Sequence, residues 1–395
     1  MLVKHRHAMR MFFASLLLAL FAAAAPPSRP AVVAYIFPQN RALAANEIAA
    51  GKLTRINFAF AALAGGVIVN GSAYDDQNLA TLVGLKRAHP GLTVLASVGG
   101  WLGSGGFSDM ALTRQRRAKF IASVARYIER HDLDGIDIDW EYPALPGATN
   151  HFRPADKQNY TRLLRELRRR LDREQKRLHR RLYLTVATGG SPKFVTHTQM
   201  GAVARYVDTV NLMAYDYYEP QDDHVTGNHA PLYTDPRDPK GLSADRSVRE
   251  YLAAGVPAAK LVLGVPFYAH AWGGVPDVHH GLFEPGHAVK TAYGQYDDVA
   301  ALLRQGFTRY WDRAAAVPHL YSPSQKIFVS YEDTESLAGK CRYVLAHHLG
   351  GVMFWAYADT PTGLSLLDAV NAGLKPARKA MEPAQTHKGT RSARR

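Results

Sequence analysis

The residues best suited to chemistry lie in one run, Asp134-Gly135-Ile136-Asp137-Ile138-Asp139-Trp140-Glu141-Tyr142-Pro143. As a β-strand, whose side chains alternate between two faces, it sends Ile136, Ile138 and Trp140 one way and Asp137, Asp139 and Glu141 the other. The first set suits a packed layer. The second is a ladder of three carboxylates. Asp is a poor strand former and buried carboxylates are costly without partners, so an ordinary polar strand explains the ladder badly. Like charges this close cannot all ionise, so at least one group should hold its proton near neutral pH. A protonated carboxyl at a strand end is a ready general acid. The rival is a metal site. Metal-binding carboxylates usually come from several strands, and no His or Cys cluster accompanies the ladder, so we expect no metal and no cofactor.

Asp134, Asp137, Asp139 and Glu141 also fit the longer pattern D-x-x-D-x-D-x-E. With Tyr142-Pro143 behind it, the run resembles the signature of glycoside hydrolase family 18, the chitinases and their relatives. Further runs follow in the expected order. Ser97-Val98-Gly99-Gly100-Trp101 is similar to the family's S-x-G-G, Met213-Ala214-Tyr215-Asp216 to its M-x-Y-D, and Phe354-Trp355-Ala356-Tyr357 to its tryptophan strand.

Such a ladder needs a scaffold. Short apolar runs bounded by Gly, Pro or polar residues predict strands over Val32–Phe37, Thr54–Phe60, Thr93–Gly99, Gly135–Trp140, Leu182–Ala187, Thr209–Ala214, Leu261–Pro266 and Gly351–Trp355. Helical periodicity fits Asp75–His89, Thr113–Arg130, Lys157–Arg180, Asp245–Ala254, Ser336–His348 and Leu364–Leu374. The alternation predicts an α/β chain folded as a (β/α)8 TIM barrel. An open doubly wound sheet is the alternative, but Gly99-Gly100 lacks the other glycines of a dinucleotide loop. Residues 273–333 are too many for a structureless loop. They carry a helical pattern at Asp297–Gln305 and strand-like runs at Thr308–Trp311 and Lys326–Ser330. This stretch resembles the small α+β insertion after the seventh strand of many chitinases, which walls a groove. The barrel is therefore expected over 31–272 and 334–374.

At the N-terminus Lys4, Arg6 and Arg10 precede an apolar run, Met11 to Ala25, that closes on alanines. We read residues 1–25 as a secretory signal. The run is short beside the roughly 20 residues of a membrane span, although an uncleaved anchor is the alternative. A secreted or periplasmic protein without a stable membrane partner is expected. The net charge of +14 suggests nucleic acid at first. The leader contributes +3 and the tail 375–395, read as basic and disordered, contributes +6, which leaves +5 for the body. The other basic cluster, Arg162 to Arg181, carries leucines at helical spacing and reads as a solvated helix face. No nucleic-acid partner is expected, and the chain should act as a monomer. The single Cys341 excludes an internal disulfide and suits core packing.

The chemistry belongs at the C-terminal ends of the strands. The resemblance implies Glu141 as the acid, Asp139 as the carboxylate that holds the substrate's acetamido N–H, Asp137 as its proton-sharing neighbour and Tyr215 as a donor to the acetamido carbonyl. Asp139 and Glu141 sit on one strand about 7 Å apart. They cannot straddle a sugar as acid and nucleophile do in ordinary retaining glycosidases, and this family is substrate-assisted. Substrate contacts are expected from Tyr35, Phe60, Ser97, Gly99, Gly100, Trp101, Tyr142, Met213, Asp216, Tyr268, His270 and Trp355. Trp355 would floor the cleaved sugar and Trp101 would extend the platform. Trp272 fits core or groove equally. The implied function is a secreted chitinase acting on β-1,4-linked N-acetylglucosamine polymers or oligosaccharides. The alternatives are a hydrolase of peptidoglycan or N-glycan core linkages and a non-catalytic chitin-oligosaccharide lectin. Glu141 counts against the last.

One position departs from the family. Phe267-Tyr268-Ala269-His270 stands where such chitinases commonly carry F-Y-G-R. His270 either makes one hydrogen bond, to a sugar or to Asp216, or lends a pH-dependent charge to substrate binding.

Overall fold

Runs such as Val32–Ile36, Val94–Val98 and Leu261–Val265 are buried at every position, the pattern of strands covered on both faces. In the computed structural model, which describes residues 30–289, 301–357 and 361–375, these runs become barrel strands. The leader, the tail beyond Lys375 and the start of the Asp297–Gln305 pattern lie outside the described residues; residues 301–304 are helical. The strands are β1 (Ala31–Ile36), β2 (Arg55–Ala64), β3 (Val67–Val69), β4 (Thr93–Gly99), β5 (Gly135–Asp139), β6 (Tyr183–Gly189), β7 (Thr209–Met213), β8 (Leu261–Pro266), β9 (His270–Gly273), β10 (His287–Ala288), β11 (Thr308–Asp312), β12 (Val317–Ser322), β13 (Ile327–Ser330) and β14 (Gly351–Trp355). Parallel pairing runs β1-β14-β8-β7-β6-β5-β4-β2, and β1 pairs with β2 to close an eight-stranded barrel. The expected TIM barrel is therefore present. β3 is an antiparallel extension of β2 through the Gly65-Gly66 turn.

The helices bury stripes. Helix Asp156–Leu178 turns Tyr160, Leu163, Leu164, Leu167 and Leu171 inward and its arginines outward. Arg168, Arg170 and Arg177 on that outer side are paired with Asp172, Glu174 and Glu129. Helix Arg114–Arg130 starts where the Thr113 side chain accepts the Arg116 N–H. Cys341 is buried, as its apolar helix face suggests. Trp272 resolves to core, with no exposed surface.

The sequence reading needs correction in three places. The insertion sheet, in the order β10-β9-β13-β12-β11, starts at His270 rather than 273. No turn residue separates Leu261–Pro266 from His270–Gly273, so the change of sheet leaves no mark in composition. β12 was not among the expected strands, and it carries Pro318, a residue strands seldom hold inside them. Between β6 and β7 stand two short helices, Pro192–His197 and Met200–Val203, too brief to show a period.

Residues 214–243 make a long excursion after β7 that crosses towards the insertion. It is anchored by Lys340 of helix Thr334–Ala346, whose Nζ donates to the Ala230 carbonyl at 2.6 Å and pairs with Glu332. Both charged side chains are about 1% exposed. Breaking a buried pair strands one charge, so Lys340→Met should destabilise the protein by about 3–5 kcal/mol. Replacing Glu332 with an apolar residue as well should recover most of the loss. Urea unfolding of both variants checks this, and an unchanged midpoint in Lys340→Met would contradict it.

Candidate active site

Strand alternation delivers the ladder. Ile136, Ile138 and Trp140 are buried in the layer between barrel and helices, where Trp140 stacks on Phe107 at 5.3 Å and meets Tyr160 edge-on at 5.9 Å. Asp137, Asp139 and Glu141 take the opposite face, towards the barrel axis. Parallel register sets Ser97 of β4 and Thr185 of β6 level with Asp137.

Asp137 is fully buried and well supplied with donors. Its Oδ2 accepts the Tyr35 hydroxyl at 2.9 Å and the Ser97 hydroxyl at 2.8 Å. Its Oδ1 accepts the Thr185 hydroxyl and the Asn211 amide at 3.3 Å. Burial nevertheless pushes this carboxyl up, with the Thr185, Ser97 and Tyr35 donors opposing. Asp139, one step nearer the strand end, is 3% exposed, and its Oδ1 has no hydrogen-bond partner among the described residues. Burial, then the neighbouring Glu141 and Asp137 charges, raise its carboxyl well above the ordinary range. Glu141 is pushed up to about 7, first by burial, against a hydrogen bond from Tyr142 and with Asp216 and Glu219 adding repulsion. This geometry can keep a carboxylic acid protonated at neutral pH beside a second, partnerless carboxyl oxygen.

Asp134, at the other end of β5, serves the fold. It meets Lys86 at 2.9 Å and Arg180 at 3.2 Å and accepts the Val94 N–H at 2.8 Å.

The expected contact residues separate into two groups. Tyr35 and Ser97 are buried and spend their hydroxyls on Asp137, so they lie beneath the ladder, away from open space. Gly99 and Gly100 have φ of 116° and 80°. A Cβ on Gly99 would stand 2.0 Å from the Asp139 carbonyl oxygen, and one on Gly100 would stand 2.7 Å from the Phe60 ring. Both glycines therefore let β4 close against the ladder strand and Phe60. The rest surround the opening. Trp355 is half-buried, stacked on Phe60 at 5.4 Å and 6.0 Å from Tyr35. Trp101 is 50% exposed and lies 6.3 Å from Tyr142. Met213 and Tyr215 pack at the axial end of the barrel interior. Burial, then Asp216 and the ladder carboxylates, push the Tyr215 hydroxyl well above its usual value, so it stays a donor.

Asp216, with φ of 58°, accepts the Tyr268 hydroxyl at 2.6 Å and faces His270 Nε2 at 2.8 Å. The histidine at the departure from F-Y-G-R thus makes the hydrogen bond to Asp216. Burial would raise the Asp216 carboxyl, but His229 and His270 hold it well below the usual carboxylate range. His229 is fully buried, and burial pushes its ring down to about 4. Burial, then Asp216, raise half-buried Glu219 to about 7.

Four of these residues went unnoticed in the sequence. Thr185 and Asn211 were within reach, since each shares the inward alternation of its strand. His229 and Glu219 lie in the 214–243 excursion, where no period links them to the site.

A raised acid has a defined pH signature. If protonated Glu141 is the working form, hydrolysis should be fastest below about pH 7 and fall as pH rises through that value. Initial rates on a soluble chitin oligosaccharide from pH 5 to 9 test this; a rate still climbing above pH 8 would contradict it.

Comparison with known proteins agrees with the fold and the motifs. The model of the glycosyl hydrolases family 18 matches residues 31–359, and the chain belongs to that family. Chitinase A1 of Niallia circulans is 38% identical over 315 residues, 72% of this chain and 45% of that protein. Probable chitinase 2 of Drosophila melanogaster is 32% identical over 292 residues, 70% of this chain and 57% of that one. The chain therefore spans about half the length of these curated relatives. Among solved structures, a family 18 N-acetylglucosaminidase from Paenibacillus barengoltzii aligns with a TM-score of 0.79 at 40% identity, covering 87% of this chain and 99% of that one. Chitinase ChiA74 from Bacillus thuringiensis aligns with a TM-score of 0.82 at 29% identity, covering 87% and 69%.

Proposed function

We propose that the chain is a glycoside hydrolase that cleaves β-1,4 bonds of chitin or chitin oligosaccharides by a retaining, substrate-assisted route. The observation that carries this reading is Asp139. It is buried, it keeps an oxygen without a partner among the described residues, and it stands next to a carboxyl pushed up to about 7. An acetamido N–H is the donor that oxygen lacks. Glu141 protonates the glycosidic oxygen while the acetamido carbonyl oxygen attacks the anomeric carbon, with the N–H held on Asp139. Asp137, on its bed of four donors, fixes and tunes Asp139. Tyr215 donates to the acetamido carbonyl and keeps it in line. Glu141 then takes a proton from the incoming water. Trp355 and Phe60 offer an aromatic face to the sugar ring, and Trp101 extends it outward. The chitinases among the relatives support the substrate class. The basic and then apolar N-terminal run supports action outside the cytoplasm.

A second reading, release of single N-acetylglucosamine units, is favoured by the likeness to the Paenibacillus barengoltzii N-acetylglucosaminidase. Products from chitin oligosaccharides of four to six units decide between them. Dimers and longer fragments support the first reading, and monomer alone from the start supports the second. A parallel peptidoglycan digest should yield nothing; faster release there than from chitin would overturn the chitin reading.

A further inference from the structure

Asp216 and His229, both in the 214–243 excursion, and His270, at the start of β9, converge on one point. Asp216 stands near the start of the excursion, His229 mid-way along it, and His270 is brought in from the insertion sheet. Their ligating atoms, a carboxylate oxygen and two ring nitrogens, all lie within 4.8 Å of one another. His270 Nε2 is 2.8 Å from Asp216 Oδ1, and His229 Nδ1 is 3.7 Å from the same oxygen. The two imidazole rings meet edge-on with centroids 4.8 Å apart.

His229 is the unusual member. It has no exposed surface, yet neither ring nitrogen has a hydrogen-bond partner among the described residues, and 3.7 Å to Asp216 is too long for one. A buried imidazole left unpaired in this way is costly and uncommon. Its position is not loose. Its backbone N–H donates to Ser330 Oγ at 2.9 Å, and its carbonyl accepts the Tyr217 N–H at 3.0 Å. The ring is therefore held beside Asp216 and His270 with an unused lone pair.

We propose that Asp216, His229 and His270 form a binding site for one divalent ion of the zinc class. Two imidazoles and one carboxylate are a borderline-soft donor set suited to zinc, and three protein ligands leave a coordination position for water or another ligand. A tetrahedral ion with bonds of about 2.0–2.2 Å holds its donor atoms roughly 3.3–3.6 Å apart. Seating it opens the 2.8 Å approach of His270 to Asp216 and draws His229 inward. The ion takes the place of the proton between His270 and Asp216, and the unpaired His229 nitrogen gains a partner. Tyr268, whose hydroxyl already lies on Asp216, is placed to steady the carboxylate from outside. The buried cation Lys340 is committed to Glu332 and the Ala230 carbonyl. Occupancy would also take Tyr268, Asp216 and His270 out of free contact with the groove, so zinc should slow turnover. That second effect rests on the hydrolase reading, whereas binding itself does not.

The test is titration of EDTA-stripped protein with zinc chloride, followed by calorimetry. One saturable site is expected in the wild type. Outer partners of a metal ligand alone are worth about 10–100-fold in affinity, so loss of a ligand should weaken this site at least about 100-fold in both His270→Arg and His229→Asn. Zinc K-edge absorption of the wild type at one equivalent covers the case in which His229→Asn does not fold. It should show two imidazole nitrogens and oxygen at about 2.0–2.2 Å. Absence of saturable uptake, equal affinity in His270→Arg, or a first shell of oxygen alone would each overturn the proposal. Binding with no change in turnover would retain the site and remove Tyr268, Asp216 and His270 from the substrate contacts.

Discussion

Glu141→Gln is expected to lower kcat on chitin oligosaccharides by about 10²-fold or more while leaving ligand affinity largely intact. The amide keeps the shape of the side chain and removes the proton that the leaving oxygen requires. Uniform loss of binding would point to a structural role instead, and near-wild-type turnover would remove Glu141 from the acid position. The same variant carries a second signature, independent of catalysis. The folded Glu141 carboxyl is raised to about 7 from an ordinary value near 4.5. A raised carboxyl contributes its full share of stability below the unfolded value and loses it as pH climbs through the folded one. Wild-type Tm should therefore fall relative to Glu141→Gln between pH 5 and pH 8. Parallel Tm curves for the two proteins would show that Glu141 is not raised.

Fully deacetylated chitosan oligomers should be cleaved at least about 10³-fold more slowly than their acetylated counterparts. A nucleophile carried by the substrate acts intramolecularly, with an effective concentration that well-oriented systems push to about 10⁵ M or higher. A free amine cannot supply the carbonyl oxygen, and no side chain replaces it, because Asp139 and Glu141 stand on the same strand and on the same side of the site. Removing the acetyl group also leaves Asp139 Oδ1 without the donor it lacks. A chitosan rate within tenfold of the chitin rate would mean that a protein group attacks the sugar.

The ladder was legible because strand alternation is rigid. Once residues 135–139 are a strand, Asp137 and Asp139 must share a face, and Trp140 and Glu141, just past its end, carry the same alternation on. The barrel was legible for a related reason, since strands covered on both faces are apolar throughout and stand out between amphipathic helices. The support beneath Asp137 was half legible. Ser97 was expected at the site as a sugar contact, as was Tyr35, which with it turns out to hold Asp137 from below. The burial of Tyr35 depends on how β1 and β14 close the barrel, which local sequence does not encode. The Asp216–His229–His270 cluster was legible only in part. His270 stood out as a departure and Asp216 belonged to a motif, but His229 reaches them through a loop whose path is fixed by long-range contacts such as that of Lys340 with Ala230.

Substrate assistance has one direct readout, the anomeric form of the first product. Time-resolved proton NMR of chitotetraose hydrolysis, recorded before mutarotation, should show the new reducing end appearing as the β-anomer and relaxing to the α/β mixture afterwards. Two displacements at the anomeric carbon, by the acetamido oxygen and then by water, require that order. Initial appearance of the α-anomer would mean a single displacement by water, and would contradict the roles proposed for Asp139 and Tyr215.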